Sequence, residues 1–169
     1  DITWWPWREW YYTINVCNFA ISRCGEDNSQ LSNKMKRIKG QVLFLRGLSY
    51  YNLVGYYQNP PLITDYATYS SLDGLYTTNS TYDNVLDQVE KDFHEAMELL
   101  PSRDEGGEWA GGRATCGAAA GYYARALMMR QKYSDALTVL KDIIGKKYGT
   151  YRLMSNYGDN FREGSAYEN

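Results

Sequence analysis

The chain has 169 residues, 18 basic and 20 acidic side chains, and a formal net charge of −2. That length suffices for one compact core, and a charge so close to balance supplies no field to gather nucleic acid or an anionic membrane surface. Although 44% of the residues are hydrophobic, no uninterrupted apolar stretch approaches the roughly 18 residues of a membrane-spanning helix.

After the Trp-rich opening DITWWPWREW, the residues Trp10, Ile14, Cys17, Ile21 and Cys24 recur at spacings of four, three, four and three. This stripe predicts a helix over about 8–24, ended by Gly25 and the polar run GEDNSQ. Cys17 and Cys24 then lie about 10 Å apart at 1.5 Å per residue, too far for a disulfide. With Cys116 they form no metal-ligand pattern.

A second helix is predicted over about 31–57, amphipathic through Met35, Ile38, Val42 and Leu45, then apolar nearly all round in VLFLRGLSYYNLVGYY. Such a segment is buried on several sides. Gly40, Gly47 and Gly55 each weaken it by about 1 kcal/mol relative to Ala, so close helix packing is expected at all three. Asn59, Pro60 and Pro61 stop it, because proline lacks the ladder donor and pushes its predecessor toward extended geometry. Leu62 and Ile63 then dock back, and a long loop rich in Tyr, Ser and Thr runs to Asn79.

The third helix is predicted over about 82–100, N-capped by Thr81, with Leu86, Val89, Phe93, Ala96 and Leu100 on one face ahead of Pro101. A glycine-rich charged loop, SRDEGGEWAGGR, comes after it and displays Trp109. Helices over about 115–130, capped by Thr115, and 133–147 come next, joined by a short turn that makes them an antiparallel hairpin. The tail YGTYRLMSNYGDNFREGSAYEN has no period. The predicted fold is mostly α, a single unit over 1–169 of antiparallel helical hairpins of tetratricopeptide type with long irregular loops. Ala124 and Ala136 fall on the small positions of one such repeat, and Phe93, Ala96 and Pro101 on the large, small and terminal proline positions of another.

No catalytic constellation emerges. His94, the one histidine, has no second His at zincin spacing, and no Ser-His-Asp or Cys-His set is completed. DNFREGSAYEN places Phe161 where a calcium loop needs a ligand, and GKKYGT lacks a phosphate loop's spacing. Asp104 and Glu105 read as two solvated carboxylates on a flexible loop rather than a glycosidase pair. No cofactor or metal is expected.

The surplus is aromatic: 17 Tyr and 5 Trp, rings with an apolar face and a polar edge that suit half-buried surfaces, interfaces and sugar platforms. Trp4, Trp5 and Trp7 flank Pro6, where a helix-entry loop would hold them at the surface. The tyrosines of the second helix are expected to turn their rings inward and their hydroxyls to polar partners at its rim.

FLRGLSYYNLVGYYQNPPLIT is similar to the signature of the SusD-like (SusD/RagB) family, in which a buried Phe-Leu-Arg and Tyr-rich helix precedes a turn, a proline and an apolar run. YDNVLDQVEKDFHEAMELLP resembles the family's next helix, and GRATCGAAAGYYARALMMRQKYSDALTVLKDII its Gly-Arg-x-Thr-x-x-Ala-Ala segment with the adjoining hairpin. YRLMSNYGDNF resembles the family's segment beyond that hairpin. The matches keep the family's order from about Trp10 onward. The chain departs where the usual Gly-Asp-x-Pro turn is Gln58-Asn59-Pro60-Pro61, and where Cys116 replaces a commonly basic residue.

The resemblance implies a non-catalytic, lipid-anchored protein at the outer-membrane surface of Bacteroidetes-type bacteria. It would bind a glycan, or in some branches a peptide, and close over a TonB-dependent SusC-like transporter, with the tetratricopeptide helices as scaffold. The anchoring Cys and the family's C-terminal region are missing, and with Asp1 opening the chain a piece of something longer is expected. Because the family's early helix begins near its ligand surface, Trp4, Trp5, Trp7 and Arg8 are the candidate ligand contacts. A generic tetratricopeptide interaction module is the alternative, and a glycoside-processing enzyme the remote third reading.

Overall fold

The computed structural model describes residues 4–25, 27–70, 73–105 and 112–161; Trp109 lies outside them. Five α-helices carry the fold: α1 (Trp4–Cys24), α2 (Asn33–Tyr57), α3 (Tyr82–Leu99), α4 (Cys116–Met129) and α5 (Tyr133–Ile144), with short 3-10 turns between them. No strand occurs among the described residues.

The helix starts obey local chemistry. Ser32 Oγ accepts the Met35 amide at 3.3 Å and opens α2 at Asn33, two residues later than the predicted 31. Thr81 and Thr115 cap α3 and α4 the same way, at 3.3 and 3.2 Å. The start of α1 is a correction, since the helix takes in Trp4, Trp5, Pro6 and Trp7 rather than being entered by a loop that holds them. Pro6 is its third residue, where the amide has no intrahelical acceptor and its absence costs nothing.

The helix ends are less ordinary. In α4 the Lys132 amide bonds the Leu127 carbonyl and the Gln131 amide that of Met128, with Gln131 at φ 59°. At the end of α5 the Lys147 and Lys146 amides reach Asp142 and Ile143 in the same way, with Lys146 at φ 66°. Both are left-handed closing turns that usually place glycine at that position. The second stops α5 at Ile144, short of the predicted 147.

Packing runs in chain order, α1 on α2, α2 on α3, α3 on α4 and α4 on α5. The main core joins Ile14 of α1, Leu43, Phe44, Tyr50, Leu53 and Val54 of α2, and Val85, Leu86, Val89, Phe93 and Ala96 of α3. A satellite cluster of Ala120, Ala124, Leu127, Ala136 and Val139 closes the α4–α5 hairpin. Glycine packing divides the three α2 positions. A Cβ at Gly40 would stand 2.9 Å from Leu100 and one at Gly47 3.2 Å from Asp92 and Phe93, so α3 sits where side chains would block it. Gly55 is the correction: a Cβ there meets nothing within 4 Å.

Candidate functional site

The segment beyond α2 is held from both sides. Tyr11 donates its hydroxyl to the Pro61 carbonyl at 2.6 Å, Asn18 donates to the Ile63 carbonyl at 2.8 Å, and the Tyr50 hydroxyl bridges the Ile63 carbonyl and amide at 2.7 and 2.8 Å. Ser80 closes the far side, its amide donating to the Pro60 carbonyl and its hydroxyl accepting from the Leu62 amide. The Tyr50 hydroxyl therefore works in the interior, not at a rim, since Tyr50 is fully buried.

Beneath the segment lies a buried ion pair. Arg46 binds Asp92 in two prongs, Nε to Oδ2 at 2.8 Å and Nη2 to Oδ1 at 2.7 Å, while Nη1 donates to Asn18 at 2.9 Å and the Thr64 carbonyl at 3.4 Å. Gln88 adds a donor to Asp92 at 2.7 Å. Burial works against the Arg46 charge, but the Asp92 carboxylate outweighs it and holds the guanidinium protonated above its ordinary range. Cys17 lies in the same environment, where burial pushes its thiol up to about 11.

The aromatic candidates divide by helical angle. Positions 4, 8 and 5 succeed one another around α1 within about 100°, while position 7 lies on the other side of position 4. Accordingly Arg8 sets its guanidinium 5.6 Å from the Trp4 ring centroid and 5.5 Å from that of Trp5, and these indoles are 55% and 59% exposed. Trp7 turns inward, edge-on to Tyr57 at 4.8 Å and against Tyr11 at 4.9 Å, packed on the core. The structure thus gathers Trp4, Trp5 and Arg8 into one exposed group and sets Trp7 behind it as support. Two indoles and a cation presented together offer stacking faces with a hydrogen-bond donor between them.

An open groove of about 590 Å³ runs beside α3, with Asn28, Asp87, Glu90, Glu95, His94 and Tyr123 in its wall. Three of its carboxylates are answered by cations: Arg130 pairs with Asp87 and Glu90, Lys132 with Glu90 at 2.8 Å, and the buried Lys39 with Glu95 at 3.2 Å. His94 stands edge-on to Tyr123 at 5.4 Å and 3.9 Å from Glu98. Among the described residues no three His, Cys, Asp or Glu side chains are grouped to hold a metal ion, and no helix is long and apolar enough to cross a membrane. Asp104 and Glu105 are exposed, as expected of solvated carboxylates, and also act as tethers. Asp104 accepts the Thr150 amide at 2.8 Å, and Glu105 accepts Arg37 at 2.6 Å.

Sequence reasoning misses the second recess, between the last turns of α2 and the end of α4, which Tyr51, Asn52, Gly55, Tyr56 and Met129 line. Its one signal is a glycine that no packing requires.

Residues 2–128 match a SusD-like family described as starch-binding and associating with the outer membrane. SusD-like protein P25 of Formosa agariphila is 24% identical over 95% of this chain, which spans 29% of that protein's length. Among solved structures, a SusD-like carbohydrate-binding protein from Bacteroides fragilis superposes with a TM-score of 0.79 at 24% identity, over 92% of this chain and 29% of that one. A laminarin-binding SusD-like protein does so with a TM-score of 0.76 at 26% identity, over 92% of this chain and 33% of its own.

Proposed function

The chain belongs to the SusD-like family, and from that premise we propose that it serves non-catalytic capture of a glycan at the bacterial surface. The observation that carries the reading is the family match across residues 2–128, joined to a fold shared with a laminarin-binding relative. In this reading residues 1–169 are one helical portion of a larger protein, tethered to the outer membrane by an N-terminal lipid, that hands an oligosaccharide to a TonB-dependent SusC-like transporter.

The helices divide the work. The α4–α5 hairpin and the elements before it serve as a tetratricopeptide-type scaffold that meets the transporter. The burial of Ala124, Ala136, Phe93 and Ala96, each on its repeat position, supports this. Trp4, Trp5 and Arg8 are the ligand contacts on this chain: the exposed indoles stack on the C–H face of a sugar ring and Arg8 donates to its hydroxyls, while Trp7 fixes the helix that presents them.

The test is purification of the full-length protein from native membranes together with a binding screen against laminarin, starch and acidic polysaccharides. Co-purification of a SusC-like barrel and binding of at least one glycan are expected. A protein that brings down peptide-bearing partners but no barrel and no glycan would be a generic tetratricopeptide module instead, and turnover of a glycan would make it an enzyme.

A further inference from the structure

The recess at the end of α2 has the composition of a small-ligand site. Its volume is about 200 Å³, below the roughly 300 Å³ at which drug-sized pockets begin, so it takes one ring rather than a chain. Tyr56 is 75% exposed, with Trp10 behind its ring at 5.4 Å. Gly55 leaves one wall open, since a Cβ there would touch nothing. Asn52 is half-buried, and among the described residues its side-chain amide makes no hydrogen bond.

Arg125, one turn before Met129 on α4, supplies charge beside Tyr51, one of the residues that line the recess. Its guanidinium lies 5.4 Å from the Tyr51 ring centroid and 5.3 Å from that of Tyr122, and no carboxylate among the described residues pairs with it. Contact with the two rings anchors the guanidinium without using its donors, which are left to an incoming anion, and Arg can take a carboxylate or a sulfate through two bonds. No acidic side chain lines the recess to compete.

We propose that Tyr51, Asn52, Gly55, Tyr56, Met129 and Arg125 form a subsite for one acidic sugar residue, a uronic acid or a sulfate ester, a reading that rests on the glycan-binding function above. The aromatic and Met surfaces take the apolar face of the ring, the Asn52 amide takes a pair of hydroxyls, and Arg125 takes the anionic group. The recess shares no residue with the Trp4–Trp5–Arg8 group and selects for charge where that group selects for ring faces.

The experiment is isothermal titration calorimetry of the full-length protein with oligomannuronate, oligogalacturonate and a sulfated galactan oligosaccharide. Each is paired with its carboxyl-reduced or desulfated form. At least one acidic member should bind tenfold or more tighter than its neutral form. Arg125→Gln should erase that difference, and Gly55→Leu, which fills the recess at a helical position, should weaken acidic binding about tenfold with thermal stability kept or raised. Equal binding of acidic and neutral forms, or a preference that survives Arg125→Gln, overturns the subsite. Binding of neutral glycans alone overturns it while leaving the family function standing, whereas binding of no glycan at all overturns both.

Discussion

The Tyr50 hydroxyl satisfies both backbone groups of Ile63, donating to the carbonyl at 2.7 Å and accepting from the amide at 2.8 Å. One side-chain oxygen thereby does for a buried irregular segment what a neighbouring strand would do, and lets the chain re-enter the core after Pro60 and Pro61 with both Ile63 backbone groups bonded.

Tyr50→Phe keeps the ring and removes only that oxygen. The Ile63 carbonyl retains Asn18, but the amide loses its partner, so the variant should lose about 1–3 kcal/mol of unfolding free energy. Urea denaturation of both proteins measures it, and a change within a few tenths of a kcal/mol would show that solvent reaches the segment.

Arg46 and Asp92 should behave as a unit. Arg46→Met leaves the Asp92 carboxylate buried without its cation, and Asp92→Leu leaves the guanidinium; each single change should cost about 3–5 kcal/mol. The double change removes both charges and should cost less than the sum of the singles. A denaturant double-mutant cycle gives the answer, and strict additivity would mean that the two-pronged bond contributes nothing of its own.

Gln58, the residue that closes α2, has φ 62° and ψ −61°, with the Asn59 amide bonded to the Tyr57 carbonyl at 2.7 Å. This is a three-residue turn of the strained kind, costing about 1–3 kcal/mol for a residue with a Cβ. Gln58→Gly should therefore raise stability by about 1 kcal/mol, after about 0.5–1 kcal/mol is returned to the freer unfolded chain. The midpoint of thermal unfolding should rise; a fall would mean that the Gln58 side chain holds the turn in a way its backbone angle does not reveal.

Glu95 links acidity to stability. Burial works to raise its carboxyl, but Asn28 at 3.0 Å and Lys39 at 3.2 Å outweigh it and hold the group below its ordinary value. An acid lowered in the folded state contributes stability that is present above its unfolded pKa and lost as pH falls through the folded one. Unfolding free energy measured between about pH 3 and 5 should therefore fall less steeply for Glu95→Gln than for the parent. Parallel curves would show that the Lys39–Glu95–Asn28 contact does not discriminate between the charged and neutral acid.

The regular part of this fold is written in periodicity and caps. The stripe of α3 and the threonines at 81 and 115 predict α3, α4 and their starts because each signal is local. The start of α1 escapes the same reasoning because Pro6 looks like a breaker, when a proline in the first turn costs no hydrogen bond. The end of α5 is overrun because its left-handed closing residue is Lys146, where a glycine would have announced it. The family resemblance implies a buried Arg46, but its partners Asn18 and Asp92 are not legible. They lie 28 and 46 positions from it, and no spacing rule connects an Asn on α1 to an Asp on α3. At the candidate site, one helical turn of sequence names Trp4, Trp5, Trp7 and Arg8, but only the angular order around α1 shows which three share a face.

The measurement closest to the central claim is affinity electrophoresis of the full-length protein through gels containing laminarin, starch or an acidic polysaccharide, with the Trp4→Ala, Trp5→Ala double variant alongside. The account predicts retardation in at least one gel, with an apparent Kd roughly tenfold weaker in the variant as the lost stacking requires. Unretarded migration in every gel, or retardation that the double variant leaves unchanged, would contradict it.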